Sequence, residues 1–211
     1  MNKTEGFWDK VAHKFDKRSQ KIDPAEIKTL ENTKKHLSSG AIVLDYGCAT
    51  GTIAIEIAAT VKKIHGIDIS SKMIDTAQRK AVERKIENIE FTKSTLFDAG
   101  FKKESFDVIL ALNIMHFLED TQKVMKRIND LLKPGGLLIS VTPCLREKKS
   151  FLNILIFLLL FIQTKTGMLP YIRFFKISEF EYSITHSDFH IIETEKLHSP
   201  GEQYFIVAKK R

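Results

Sequence analysis

The residues of this chain that could do chemistry begin at an acid-led turn, Asp45-x-Gly47-x-Ala49-x-Gly51. The apolar run Ala41–Leu44 before it reads as a buried strand, and Thr52–Ala58 after it repeats Ile53, Ile57 and Ala54, Ala58 at helical spacing. Strand, small-residue turn and helix make the first unit of a nucleotide-binding α/β fold, in which ligands sit beyond the carboxyl ends of the strands. The spacing differs from the G-x-G-x-x-G of pyrophosphate binders. A carboxylate at the strand end would repel a phosphate and suit a cationic ligand group. Cys48, inside the turn, reads as a small filler. Ala49 is small enough for close ligand approach but bears a conformational cost if the turn needs a positive φ.

A second acid, Asp68, closes the apolar stretch Ile64–Ile69. A carboxylate at that strand end can accept two hydrogen bonds from ribose hydroxyls, which serves any adenosine ligand. Ser70 or Ser71 then caps a helix through Arg84 whose apolar stripe is Met73, Ile74, Ala77 and Ala81. Met73 suits either a wall beside an adenine or the core. Ile89–Phe91 predicts a third strand, followed by Thr95, Leu96 and Asp98. Val108–Leu112 is a near-continuous apolar run, as in a central parallel strand, and leads into Asn113 and His116, with Asp120 opening a helix. His116 could be a general base for a hydroxyl or acidic carbon, or a hydrogen-bonding structural residue.

The acid-led turn resembles motif I of class I S-adenosylmethionine-dependent methyltransferases, with Ala49 where that family usually has a second glycine. The stretch ending in Asn113 is similar to motif IV, without the N-P-P-[YF] of enzymes that methylate adenine or glutamine. Pro134-Gly135-Gly136 matches a further family turn, expected to stop a helix and reverse the chain. Phe7–Asp16 resembles the N-terminal segment of the ubiquinone and menaquinone biosynthesis methyltransferases, with Phe15-Asp16 where those carry Tyr-Asp. The resemblance implies S-adenosylmethionine as cofactor, with S-adenosylhomocysteine as product. Asp45, Gly47, Cys48, Ala49 and Gly51 would hold its methionine end, Asp68 and Ile69 the ribose, and Met73, Thr95 and Leu96 the adenine. Asn113 would stand near the reacting centre, with His116 as candidate catalytic residue. Family members often place an acid at the position of Thr95.

The elements that must position these residues fit one domain of 211 residues. The expected fold is α/β: a Rossmann-like, seven-stranded, mostly parallel sheet with an antiparallel last strand and helices on both faces. Residues 1–40 would form two helices covering the sheet and cofactor. Phe189–Glu195 and Gln203–Ala208 would form a terminal hairpin joined through Ser199–Gly201. Ser178, with Glu181 nearby, would cap the helix before it.

Formal net charge is +7. That fits an anionic partner without choosing one. Two distant cysteines suggest neither zinc site nor redox pair; no metal is expected. The polar N-terminus lacks signal-peptide features, so a cytoplasmic setting is expected.

The segment 143–176 is exceptional. Phe151–Ile162 contains one polar residue, Asn153, and as a helix would span ~18 Å, too short for a bilayer. Arg146, Lys148, Lys149, Lys165, Arg173 and Lys176 flank it against a single acid, Glu147. It is either a core helix under a lid, an apolar substrate passage, or a contact with a membrane surface. The functional expectation is methyl transfer to a small, apolar or lipid-like acceptor. The alternatives are an RNA-directed methyltransferase and a non-catalytic cofactor-binding or membrane-associated module. A nicotinamide dehydrogenase is disfavoured by the turn spacing and Asp45, and nucleic acid by the absence of aromatic-basic interleaving.

Overall fold

Strands that are apolar at every position must be covered on both sides, and the central strands here alternate their side chains between two cores. Val43, Val108, Leu110, Ile139 and Val141 point to one core, Leu44, Ile109, Ala111 and Leu138 to the other. The computed structural model describes residues 3–19, 23–147, 151–197 and 203–211. Its elements in chain order are α1 (Lys3–Ser19), α2 (Pro24–Lys35), β1 (Ile42–Tyr46), α3 (Thr52–Ile57), β2 (Lys63–Asp68), α4 (Ser71–Glu83) and β3 (Ile89–Lys93). They continue as β4 (Phe106–Leu112), α5 (Thr121–Leu131), β5 (Leu132–Pro143), α6 (Phe151–Lys165), α7 (Ile177–Thr185), β6 (Phe189–Leu197) and β7 (Gln203–Lys210). Short 3-10 turns lie at Ala58–Thr60 and Met115–Phe117.

The strands form one seven-stranded sheet in the order β3-β2-β1-β4-β5-β7-β6. β1 to β5 pair in parallel, and β7 runs antiparallel to β5 and β6. Chain order reverses between β1 and β4, the place where an open α/β sheet leaves a crevice for a ligand. The core on one face includes Ala25 of α2, Ala54 and Ile57 of α3, and Ile74, Ala77 and Ala81 of α4. The other includes Val124, Met125 and Ile128 of α5 with Phe180 and Ile184 of α7. The expected fold is therefore the observed one.

Local signals explain most boundaries. Asp23 caps α2 through Ala25 N–H (2.9 Å) and is followed by Pro24 in the first turn. Ser70 caps α4 by accepting from Met73 N–H at 3.2 Å, and Asp120 caps α5 by accepting from Lys123 N–H at 2.9 Å.

Three expectations are corrected. Pro134-Gly135-Gly136 does not form the helix stop: α5 ends at Leu131, and the triplet lies within β5. Leu132 stands opposite Phe106 and Leu137 opposite Val108, so 133–136 bulge out opposite Asp107. A bulge is where a strand tolerates a proline lacking its N–H. Ser178 does not cap α7: Lys176 is the capping position, and Glu179 accepts its N–H at 3.3 Å. Glu147, from the preceding loop, takes Ile177 N–H at 3.1 Å, so no serine hydroxyl is needed. Finally, of the alternatives open for α6, burial as a core helix does not hold at its described outward residues. Leu155, Leu158, Leu159 and Ile162 are each more than half exposed. The expected hairpin link Ser199–Gly201 lies outside the described residues.

The N-terminal helix crosses the carboxyl ends of the strands. Asp9 accepts from Ser70 Oγ (2.6 Å) and Lys72 N–H (3.2 Å) at the start of α4. Trp8 packs its ring edge-on against Phe117, beyond β4, with centroids 5.0 Å apart.

Close packing beneath the first turn depends on missing side chains. A Cβ on Gly66 would lie 2.5 Å from the Phe91 ring, which also fills the space beside Gly51. Gly66→Ala is expected to lower the unfolding free energy by ~1–3 kcal/mol through overpacking, and Phe91→Leu in the same chain to recover part of the loss. Denaturant unfolding of both single variants and the double measures that non-additivity.

Candidate functional site

The turn after β1 is wound tightly by backbone geometry. Gly47 and Cys48 both donate their N–H groups to Ile67 O, at 2.9 and 3.0 Å, which presses the turn against the end of β2. Gly47 and Gly51 have φ near +74° and +73°, and Ala49 has φ 47°. A Cβ on Gly47 would lie 2.9 Å from Ile114, and one on Gly51 2.6 Å from Phe91. These positions need glycine both for φ and for space. Ala49 occupies the left-handed region with a Cβ, at a strain cost of about 1 kcal/mol. The alanine the sequence marks as a departure is thus the strained residue of the turn.

Asp68 joins the pieces. Its Oδ2 accepts from Ala49 N–H at 3.1 Å and its Oδ1 from Ser70 N–H at 2.8 Å, while its backbone carbonyl accepts from Ser94 N–H at 3.0 Å. One residue thereby aligns the loops after β1, β2 and β3. Burial raises its carboxyl above the usual range, opposed by the N–H groups of Ser70, Ala49 and Ile69. Asp45 is only 4 % exposed. Burial pushes its carboxyl up to about 7, and the neighbouring Asp68 charge adds to the rise. No cation is among the causes acting on it. Two adjoining carboxylates, Asp45 buried and Asp68 partly buried, beside a left-handed turn fit a ligand that brings a positive group and hydroxyl donors.

The other residues singled out from sequence divide by role. Burial pushes the Cys48 thiol well above its usual value, so it fills space and is not a thiolate nucleophile. Met73 is 1 % exposed and Leu96 fully buried, so both side chains serve packing in this conformation. Thr95 is exposed, and its hydroxyl accepts Phe97 N–H at 3.3 Å within a local turn. Asp98 accepts from Ser94 Oγ (3.2 Å) and Gly100 N–H (2.9 Å), which ties the loop after β3 together. Asn113 has φ 56° and donates its N–H to Val141 O at 2.8 Å, tethering the chain as it leaves β4.

His116 lies in the 3-10 turn after β4, its ring 3.9 Å from that of Phe117. Its Nδ1 is buried with no hydrogen-bond partner among the described residues. Burial lowers its pKa to about 4, so the imidazole is neutral at pH 7. Arg173 N–H donates to His116 O at 2.7 Å, and the Arg173 guanidinium donates to Thr121 Oγ1 at 3.1 Å. The base of the excursion is closed by Arg146 N–H on Phe175 O (3.2 Å) and by the Arg146–Glu179 ion pair (3.0 Å). The segment carrying α6 therefore returns to the His116 turn.

Asp9 and Arg173 are site-shaping residues that the sequence did not reveal. Each acts across a long sequence separation, and neither sits in a pattern of its own. The heptad-like run of α1 shows only its apolar side.

The strain at position 49 has a measurable consequence. Ala49→Gly is expected to raise stability by ~1 kcal/mol, because glycine takes this φ without the Cβ clash. Thermal or denaturant unfolding without ligand checks it. Stability unchanged or lowered would show that the turn relaxes around the methyl group.

A family profile described as a methyltransferase domain matches residues 37–169. Among curated proteins, the chain is 33% identical over 111 residues to the aklanonic acid methyltransferase DauC of Streptomyces sp. (strain C5), covering 51% of this chain and 50% of that protein. It is 32% identical over 114 residues to a ubiquinone biosynthesis O-methyltransferase of Albidiferax ferrireducens, covering 54% and 45%. The chain thus spans about half the length of the curated relatives it matches. Among solved structures, it superposes with a TM-score of 0.71 on the geranyl diphosphate C-methyltransferase of Streptomyces coelicolor, solved with Mg2+, geranyl diphosphate and S-adenosyl-L-homocysteine. Identity there is 15%, over 88% of this chain and 79% of that one. With the acid-led turn, the paired carboxylates and the sheet order already placed, the matched profile covers the site residues from Asp45 to His116: the chain belongs to the class I S-adenosylmethionine-dependent methyltransferases.

Proposed function

We propose that this chain transfers the methyl group of S-adenosylmethionine to a small, apolar or lipid-like acceptor. The observation that carries the cofactor half is the Asp45–Asp68 pair beside the left-handed turn. A buried Asp45 carboxylate held close to the partly buried Asp68 is costly to ionise, and a ligand with an ammonium and a sulfonium offsets that cost. The cofactor supplies an activated methyl carbon, displaced in line by the acceptor atom. The chain's own residues orient and exclude water. The Gly47–Gly51 turn would admit the methionine end, with Asp45 facing its positive charge. Asp68 would accept from the ribose, with Ile69 at that edge and Thr95 and Leu96 toward the base. Orientation of this kind can supply ~7–11 kcal/mol of a barrier.

His116 would act on the acceptor. A neutral, buried imidazole whose Nδ1 has no partner among the described residues can accept a proton from a hydroxyl or acidic carbon as it attacks. The acceptor class rests on the exposed apolar excursion that returns to His116 through Arg173. The named activities of the relatives, on aklanonic acid and in ubiquinone biosynthesis, are in keeping with small-molecule acceptors.

Asp45 gives the cofactor reading a pH signature. Its carboxyl is raised in the fold from 3.8 to about 7. The folded state therefore holds the extra proton between those values, and stability from this group falls as pH rises from about 4 to about 7. A cationic ligand favours the ionised form, so its binding should release a proton and strengthen as pH rises through about 7. Calorimetry in buffers of different ionisation enthalpy is expected to show micromolar affinity, roughly −8 kcal/mol, with proton release. Asp45→Asn should abolish the release and flatten the pH dependence of ligand-free stability. Tight dinucleotide binding without S-adenosylmethionine binding would overturn the assignment.

For the acceptor half, turnover on quinol-like and fatty acceptors should exceed that on RNA. His116→Gln should lower kcat by about 10²–10⁴ with cofactor affinity unchanged. Equal kcat would return His116 to a structural role, and turnover on RNA alone would replace the acceptor assignment.

A further inference from the structure

We propose that α6 docks lengthwise on the surface of an anionic lipid bilayer. Leu155, Leu158, Leu159 and Ile162 fall at i, i+3, i+4 and i+7, the spacing by which a helix normally presents its apolar stripe to a core. Here the stripe faces solvent: the four side chains are 55%, 51%, 54% and 51% exposed. Met168, at 66%, extends the exposed apolar surface past the helix end. Helical residues this apolar on an outward face need a cover.

Charge selects the cover. No Asp or Glu occurs from 148 to 178, whereas Lys148, Lys149, Lys165, Arg173 and Lys176 do. Lys165 sits beside the stripe, its Nζ 5.6 Å from the Phe161 ring centre. A second copy of the chain would bring two basic rims together, which costs energy. An anionic lipid surface meets both requirements, with acyl chains for the leucines and headgroups for the lysines. α6 is 15 residues long, about 22 Å, short of a hydrocarbon core. No helix among the described residues is long and apolar enough to cross a membrane. The helix therefore lies in the interface plane, and the irregular segment after it, bonded at Arg173 to the His116 turn, sets the docked surface beside the site.

Docking is tested apart from turnover, so it stands or falls separately from the acceptor assignment. The full chain is sedimented with phosphatidylglycerol–phosphatidylcholine vesicles and with phosphatidylcholine vesicles, at low and high salt. Binding to the anionic vesicles is expected, reduced by salt. Leu158→Gln with Leu159→Gln should weaken it about tenfold or more, and Lys165→Gln by about fivefold on anionic vesicles only. Unchanged melting and cofactor calorimetry verify that both variants fold. Failure to bind anionic vesicles, or equal binding by wild type and the double leucine variant, overturns the proposal. So does a dimer, seen by ultracentrifugation, that the leucine variant dissolves while vesicles stay unbound.

Discussion

The Asp68 carboxylate is the constraint on which the site depends. Its two oxygens hold Ala49 N–H and Ser70 N–H, at 3.1 and 2.8 Å. The turn after β1 and the start of α4 are thereby fixed to one partly buried carboxyl group. Ser70 in turn is held by Asp9 of α1, so the N-terminal helix is registered against the same point through a chain of hydrogen bonds. Remove the carboxylate and the loops after β1 and β2 lose their common reference, while the loop after β3 keeps its bond to the Asp68 backbone carbonyl. Keep the carboxylate, and Asp45 must share a low-dielectric space with it.

That arrangement opposes stability. A protein selected for its ligand-free fold would not bury Asp45, strain Ala49 into a positive φ, or leave His116 Nδ1 without a partner among the described residues. All three lie at the carboxyl ends of β1 and β4, where the sheet order reverses. Local costs concentrated at one end of an otherwise well-packed sheet are the physical mark of a site shaped for a bound group. Away from it, the strand interiors and helix stripes are conventional, with two apolar cores and buried polar side chains mostly satisfied.

The excursion between β5 and α7 is built on different terms. Its base is tied by Arg146 to Phe175 and Glu179, and its return by Arg173 to His116. Between these anchors, α6 places leucines outward. The ties keep the base in place regardless of what covers the helix. A surface patch can then be apolar without loosening the sheet beneath it.

Sequence alone determined the central architecture. The apolar runs at Val43–Leu44 and Val108–Leu112, the glycine spacing, Asp45 and Asp68, and the stripe of Met73, Ile74, Ala77 and Ala81 are local patterns. Strand alternation, helical period and turn chemistry act within a few residues, so they can be read along the chain. What only the tertiary structure decided depends on partners distant in sequence. Pro134-Gly135-Gly136 became a bulge because the pairing of β5 with the neighbouring β4 shifts register between Phe106 and Val108. The cap of α7 passed from Ser178 to Glu179 and Glu147 because the loop after β5 returns there. Asp9 and Arg173 gained their roles only when folding brought Ser70 and His116 against them. Hydrophobicity could not say whether Phe151–Ile162 was inside or outside. A run apolar on every face carries no sign of which side the rest of the chain will cover, and the two cores were already filled by other helices.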